Sequence, residues 1–429
     1  MRNRYRLASG LILLGFAITV VQIIAPVQVA DWAGLSYWSA VLLLWPKLAA
    51  RSRFQCLILL GLSALCLLWG QFHGMAFNPE RLVTGNSLLI SMLVAVSFLG
   101  LITRPEELDQ TPLPCGRRAA GSTLVSTHVF GAVINMSAIF IIGDRISRRT
   151  PLSATQALVL VRGFSTAALW SPLFAATAVA LSYAPNAHLP TLWLTGLLLA
   201  GTALGLTFYQ LYRSPAPDVH DFQGYPMRLD GLYLPVALGC ATLLALRYAP
   251  SLSVLEIITL LAPALSFILL PIFVHKPRLA LSEHLSSRLP QMANEIALFQ
   301  AAGALGYGVD QVIRDLDGWQ PIQTFGAFEA CVCYCAIVVL SLLGIHPIVS
   351  VAFFGSLLAP MTPDPTLLAM VFLTAWSFGT VAGPLSGLNL AIQGRYGIDS
   401  LKLMRLSLRY LIGMSCIVMA ALYIIENFR

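Results

Sequence analysis

The sequence predicts an all-α polytopic membrane protein of roughly 10–12 transmembrane helices, with inverted repeats, re-entrant hairpins and broken helices. Three observations predict it. Of 429 residues, 57% are hydrophobic and 10% charged, whereas a soluble domain carries about 25% charged residues. Uncharged apolar runs approaching the roughly 20 residues that cross a bilayer recur along the chain. Between them stand segments where Gly, Pro, Ser and Thr gather in apolar sequence. At membrane depth such segments are tolerated only where broken backbone is buried in protein or lines a wet cavity. This composition cannot clothe a water-facing surface, so a soluble enzyme, a disordered regulator and a nucleic-acid binder are excluded. The balance of 26 basic and 19 acidic residues, +7, marks cytoplasmic loops by the positive-inside rule. The expected location is the cell inner membrane, crossed many times.

In chain order, Arg2, Arg4 and Arg6 precede the apolar stretch Leu7–Ile24. It exceeds a signal-peptide core and reads as an uncleaved first span. Phe54–Leu68, Ser87–Ile102, Leu192–Tyr209, Ile257–Val274 and Tyr410–Ile425 are further spans. Leu232–Leu246 and Ala330–Gly344 are shorter spans, and Tyr37–Leu48, which contains Pro46, is short enough to lie only partway in. The polar connections near Thr103–Arg118, Arg213–Asp230 and His275–Gln291 leave no room for a separate soluble domain. The eight cysteines behave as small hydrophobes, and Cys331, Cys333 and Cys335 alternate along a helix without zinc spacing. No Walker loop, dinucleotide fingerprint or metal cluster is present, so no cofactor and no ATP-driven pumping is expected.

Four segments are interrupted. Thr123–Gly143 carries His128 and Asn135; Thr155–Tyr183 carries Arg162 and a Gly163–Pro172 cluster. Leu289–Val309 carries Asn294, Glu295 and Gln300, and Ile345–Ile392 holds His346-Pro347, three further prolines, a Ser377–Pro384 cluster and Asn389. An offset of 214 places Pro151 on Pro365, Phe164 on Phe378, Thr166 on Thr380 and Ala168 on Ala382. The basic patch Arg145–Arg149 then falls on Ala359–Pro363, which has no basic residue. Opposite basic character in equivalent loops is what an inverted repeat predicts. Residues 1–119 are read as scaffold helices and 120–230 as the first repeat. Residues 231–288 are read as linking helices and 289–429 as the second repeat with the C-terminal helix.

Phe164–Pro172 resembles a small-polar hairpin tip followed by proline, and Asn294–Gly303 and Gly344–Val351 are similar to second-half segments of known carriers. The order of elements resembles the ion transporter superfamily, which includes divalent-anion/sodium symporters, arsenite exporters and TRAP large membrane subunits. The resemblance implies a midplane site between two inverted repeats and a homodimer. The chain departs from the divalent-anion members in lacking their sodium-holding Ser-Asn-Thr triplets, so a proton stands beside sodium as the coupling ion.

Arg162 is the sharpest single clue. An arginine at bilayer depth costs from about 2.5 to more than 10 kcal/mol, so it is paired or faces a cavity. Its planar fork suits a carboxylate or oxyanion; the alternatives are a pair with Glu295 or snorkelling to the interface. Gly163, Ser165, Thr166, Ser171, Gly379, Thr380, Ser386 and Asn389 supply short polar groups and open backbone at the two interruptions, where half-helix N-termini would aim amides at an anion. The alternative for each is interhelical hydrogen bonding. Asn294, Glu295 and His346 are candidates for the coupling ion; Glu295 otherwise complements a helix dipole at its N-terminus. His128 is a weaker candidate. Asp144, Asp310 and Asp364 read as loop residues at segment ends.

Two functions follow. The first is a secondary transporter of a small anionic solute, an organic carboxylate or an oxyanion, coupled to a proton or sodium gradient. The second is a membrane enzyme acting on a lipid-linked substrate, for which Asp218, His220 and Asp221 are the loop candidates. The first is preferred, and no catalytic residue is assigned.

Overall fold

The computed structural model describes residues 2–25, 27–102, 112–148, 150–213, 217–229, 232–316 and 324–427. Thr103–Gln110, Arg149 of the basic patch, Asp230 and the side chain of Asp218 lie outside the described residues. Helices supply all regular structure among the described residues apart from one isolated bridge, Cys115 with Gln223. In order these are α1 (Arg2–Ile24), α2 (Ala30–Leu44), α3 (Ala50–Phe72), α4 (Pro79–Thr84), α5 (Ser87–Ser97), α6 (Arg117–Ile134) and α7 (Ser137–Ile146). Then follow α8 (Ala154–Thr166), α9 (Ala175–Tyr183), α10 (Leu189–Arg213), α11 (Pro217–His220), α12 (Tyr233–Tyr248), α13 (Val254–Phe273), α14 (Pro277–Glu283) and α15 (Leu289–Gln291). The last are α16 (Ala293–Asp315), α17 (Ala327–Leu342), α18 (Pro347–Leu358), α19 (Pro365–Ala382), α20 (Gly387–Tyr396) and α21 (Ser400–Asn427).

Among the described residues, eight helical segments are long and apolar enough to cross a membrane, and four shorter apolar helices join them. The chain is thus a multi-pass, all-α membrane protein. α2 ends early: 15 residues at 1.5 Å each fall short of a roughly 30 Å hydrocarbon core, and a 3-10 turn with Pro46 follows. The helix starts are written locally. Ser153 with Gln156 and Ser253 with Glu256 form capping boxes, in which each side chain satisfies a backbone N–H left over at the helix start. Asp364 caps α19, whose first residue is Pro365, a position that needs no N–H.

The chain forms two compact units, each discontinuous in sequence. Unit 1 comprises Met1–Ile102, Cys240–Gln323 and Val351–Thr362; unit 2 comprises Thr103–Gly239, Thr324–Ser350 and Pro363–Arg429. Unit 1 is held by close helix contacts and short polar bridges. Ser63 donates to the Ala304 carbonyl at 2.7 Å, and a methyl on Gly308 would meet the Ser63 backbone at 3.0 Å, so α3 and α16 touch along their backbones. Tyr37, Ser91 and Thr19 join three helices through bonds of 2.6 and 2.8 Å. Small residues and hydroxyls take this role because lipid offers helices no hydrophobic reason to associate. Asp310 is not a loop residue: it lies within α16 and pairs with Arg81 and Arg314.

Unit 2 has two distinct ends. At one, the start of α8 meets the 222–228 segment, with Gln156 donating to the Gln223 carbonyl at 2.8 Å. Ser122, near the start of α6, donates to the Tyr225 carbonyl at 2.7 Å, and Arg145, at the end of α7, lies 5.2 Å from the Tyr225 ring. The chain therefore doubles back between α6 and α7. The turn is at Asn135, whose φ of 50° lies in the left-handed region that Asn tolerates better than most residues. The ends of α10 and α20 are here too: Arg117 stacks on Tyr212 at 5.0 Å, and Arg395 pairs with Asp144. The opposite end holds the starts of α10 and α19, joined by the His188 N–H and Thr366 at 2.9 Å. The start of α17 and the end of α21 meet at Gly326 and Glu426. Asp144 sits in the last turn of α7, and Asp364 is a helix cap.

Candidate functional site

Two helices of unit 2 lose continuity. α8 tightens into a 3-10 turn at Ala167–Leu169 and the chain resumes as α9 at Ala175. α19 stops at Ala382 and α20 starts at Gly387. The Phe164–Pro172 stretch is therefore a helix end and its break, and the hairpin turn lies at Asn135 instead. The proline accounts for the first break: Pro172 cannot donate an N–H and disfavours helical backbone at Ser171. Gly383-Pro384 does the same for the second.

The breaks are built from their own side chains. Ser171 donates to the Ala132 carbonyl at 2.6 Å and accepts from the Leu173 N–H at 3.2 Å, which ties the first break to α6. Asn135 donates to the Leu173 carbonyl at 3.2 Å. At the second break Ser386 caps α20. The Asn389 amide donates to the carbonyls of Val381 at 3.0 Å and Gly383 at 2.9 Å, closing acceptors that the end of α19 leaves open. The two broken helices touch: Ser377 donates to the Ser165 carbonyl at 2.8 Å.

Arg162 does not pair with a carboxylate among the described residues, so the alternative of a pair with Glu295 is not the one taken. The guanidinium, 2% exposed, donates to Gln210 Oε1 at 2.8 Å and to the Leu406 carbonyl at 3.0 Å. It stands 4.3 Å from the centre of the Tyr410 ring, so its charge is balanced by neutral acceptors and a π face. Its Nε has no hydrogen-bond partner among the described residues. Gln210, Leu406 and Tyr410, on α10 and α21, escaped sequence reasoning because no spacing rule links residues so far apart.

His128 is locked by its neighbours. The Trp170 indole donates to Nε2 at 3.0 Å, so in the neutral ring Nδ1 carries the proton and donates to Thr166 Oγ1 at 2.9 Å. The Thr166 hydroxyl in turn donates to the Gly163 or Arg162 carbonyl, 2.9 and 3.1 Å away. The ring is a satisfied structural group that fixes the end of α8.

The remaining candidates divide clearly. Gly163 and Gly379 are close-packing positions: a methyl there would lie 2.7 Å from the Leu124 carbonyl and 2.7 Å from Ser341 Oγ, respectively. Ser165 bonds back to the Arg162 carbonyl at 3.3 Å. Thr380 Oγ1 and Asn389 Oδ1 are buried without a hydrogen-bond partner among the described residues. Both belong to the second break. His346 is half-buried beside it, accepting from the Ile348 N–H at 3.2 Å and set edge-on to Trp376 at 5.6 Å. Asn294 and Glu295 belong to unit 1. Asn294 accepts from the Ala49 N–H at 3.0 Å, and Glu295 is exposed in the first turn of α16, where a carboxylate complements the helix dipole. Among the loop acids and histidine of the enzyme reading, His220 Nε2 is 3.1 Å from Arg117 and Asp221 is exposed.

The arrangement offers an anion two half-helix N-termini, at α9 and α20, whose partial positive charge points toward the breaks. Among the described residues, no carboxylate is hydrogen-bonded at either break to repel one. The chain matches no protein-family model and no curated protein.

Proposed function

We propose that this chain is a secondary transporter of a small anionic solute, an organic carboxylate or oxyanion, in the cytoplasmic membrane, driven by a proton or sodium gradient. The observation that carries the reading is the contact between two broken helices, Ser377 to Ser165 at 2.8 Å, with unsatisfied polar atoms of Thr380 and Asn389 buried at one break. Broken backbone at membrane depth is tolerated where it is buried in protein or lines a wet cavity, and the two buried polar atoms without a partner among the described residues favour a cavity at the second break.

The element order supports an inverted repeat. α6 to α10 reads as helix, turn, short helix, helix, break, short helix, long helix, and α17 to α21 repeats that order. The turns fall at residues with positive φ, Asn135 and Gly344. The first copy begins at the end of unit 2 that holds Arg145 and Gln156, whereas the second begins at the end that holds Thr366 and Glu426. The offset of 214 carries residue 163 onto Ser377 and Ser165 onto residue 379, so the contacting residues lie near positions that a two-fold axis would relate. Alternating access would move one arm set against the rest around this point.

The test is uptake of labelled carboxylates and oxyanions into proteoliposomes under an imposed proton or sodium gradient. Gradient-dependent uptake that is lost in Asn389→Ala and Thr380→Val, but kept when Asp218, His220 and Asp221 are all replaced, supports the carrier. Absence of uptake under both gradients, or loss only with the loop replacements, overturns it. Arg162→Lys separates charge from geometry: unchanged rate and specificity would remove Arg162 from the transport site.

A further inference from the structure

The charges of unit 2 are segregated. Apart from the buried Arg162, and from Arg228, whose N–H bonds to Ser126 Oγ in the third turn of α6, every described Lys and Arg of the unit lies at the end that holds the start of α6 and the end of α10, or in the first three turns of α21. Arg117, Arg118, Arg148, Arg213, Arg395 and Lys402 are among them, with Asp144, Asp221 and Asp399 as the acids there. The opposite end carries Glu329, Asp364 and Glu426 and no Lys or Arg among the described residues. Basic residues are retained on the cytoplasmic side of a membrane.

The basic end also marks its own depth in the bilayer. Tyr209 and Tyr212, in the last turns of α10, are each 56% exposed. Arg213 lies over the Tyr209 ring at 5.5 Å and Arg117 over the Tyr212 ring at 5.0 Å. Exposed tyrosines belong at the headgroup level, where the ring meets apolar chains and the hydroxyl meets water. Arginines beside them carry their stems along apolar surface and their charge outward. Met227 and Leu229, 54% and 50% exposed, flank Arg228 in the segment that runs along α6 to Ser126, so apolar side chains alternate with charge there.

We infer that the basic end of unit 2 is its cytoplasmic face and that Arg117, Arg118 and Arg213 with Tyr209 and Tyr212 bind anionic phospholipid headgroups of the cytoplasmic leaflet. The inference rests on the membrane reading of the chain and not on transport. Anionic headgroups are the phosphate partner present at that depth, and each basic residue near such a surface gains from its potential.

Sidedness is read first. In a variant with all eight cysteines replaced by serine, Asp399→Cys and Asn186→Cys place single thiols at the basic and the opposite end. An impermeant maleimide added to right-side-out spheroplasts labels Asn186→Cys, and reaches Asp399→Cys only after permeabilisation. The reverse pattern overturns the assignment. Lipid binding is read as the unfolding temperature of the full chain in nanodiscs. Phosphatidylglycerol discs raise it by at least about 2 °C over phosphatidylcholine discs. The triple variant R117Q/R118Q/R213Q abolishes that difference while keeping the phosphatidylcholine value. Should the triple variant fail to fold, R213Q alone, which leaves the Arg117–His220 contact in place, halves the difference or more. An undiminished difference in the variants, or an equal rise when inorganic phosphate is added to phosphatidylcholine discs, overturns the lipid site.

Discussion

Arg162 shows how a charge survives burial without an opposite charge. A guanidinium is weakly hydrated and spreads its charge over a plane, so an amide oxygen, a carbonyl and an aromatic face are enough to hold it. The groups are not equivalent in what their loss does. Gln210→Leu strands a buried cation with one acceptor fewer and is expected to cost about 2–3 kcal/mol, whereas Arg162→Met leaves only neutral groups unpaired and costs about 1–2 kcal/mol. Thermal unfolding in detergent checks the order, and the reverse order would show that the charge is not the stressed partner. Asp144 is the contrasting case, at the basic end and partly exposed. Burial alone would raise its carboxyl, but hydrogen bonds from Arg395 and Tyr396 and the charges of Arg395 and Arg148 outweigh it and hold the group below its ordinary value of 3.8. A carboxyl depressed on folding adds stability above its unfolded value, and that stability fades as pH falls through the folded one. Wild type should therefore exceed Asp144→Asn in unfolding temperature at pH 6, and the gap should close as pH is lowered below about 4.

At the scale of elements, each break carries its own caps, and only the second leaves polar side-chain atoms, on Thr380 and Asn389, open among the described residues. Asn389 satisfies the end of α19 through its amide N–H groups. Asn389→Asp would aim a carboxylate at two carbonyl oxygens, so it should destabilise more than Asn389→Ala, by about 1–3 kcal/mol. A destabilisation no larger than that of alanine would mean that the cap is dispensable. The clasp between α7 and α20 depends on shape as well as charge. A methyl on Gly143 would meet Tyr396 Oη at 2.5 Å, so Gly143→Ala should disrupt the contact that Asp144→Asn weakens. The two changes act on one contact, and the double variant should fall short of the sum of the singles.

For the whole molecule, a carrier must open its site to each face of the membrane in turn. A single cysteine at Thr380, in a cysteine-free background, should be reachable by impermeant thiol reagents from both faces of the membrane, with substrate protecting it from each. Reaction from one face only, whatever the gradient, would fit a receptor or an enzyme with a fixed opening and would sink alternating access.

The sequence by itself determined the solvent. A chain with 10% charge must cover itself with lipid, and its apolar runs, capping residues and Gly-Pro interruptions set where helices begin, stop and break. Those are local effects, and a one-dimensional reading reaches them: the breaks near Ser171 and Gly383 lie inside the expected interrupted segments. Tertiary structure decided what each polar residue bonds to. Arg162 with Gln210, Leu406 and Tyr410, Trp170 with His128, and Arg395 with Asp144 join residues 42 to 251 positions apart. Nothing along the sequence distinguishes a buried hydroxyl that caps a helix from one left open to a ligand, because the difference lies in where the other helices place their carbonyls.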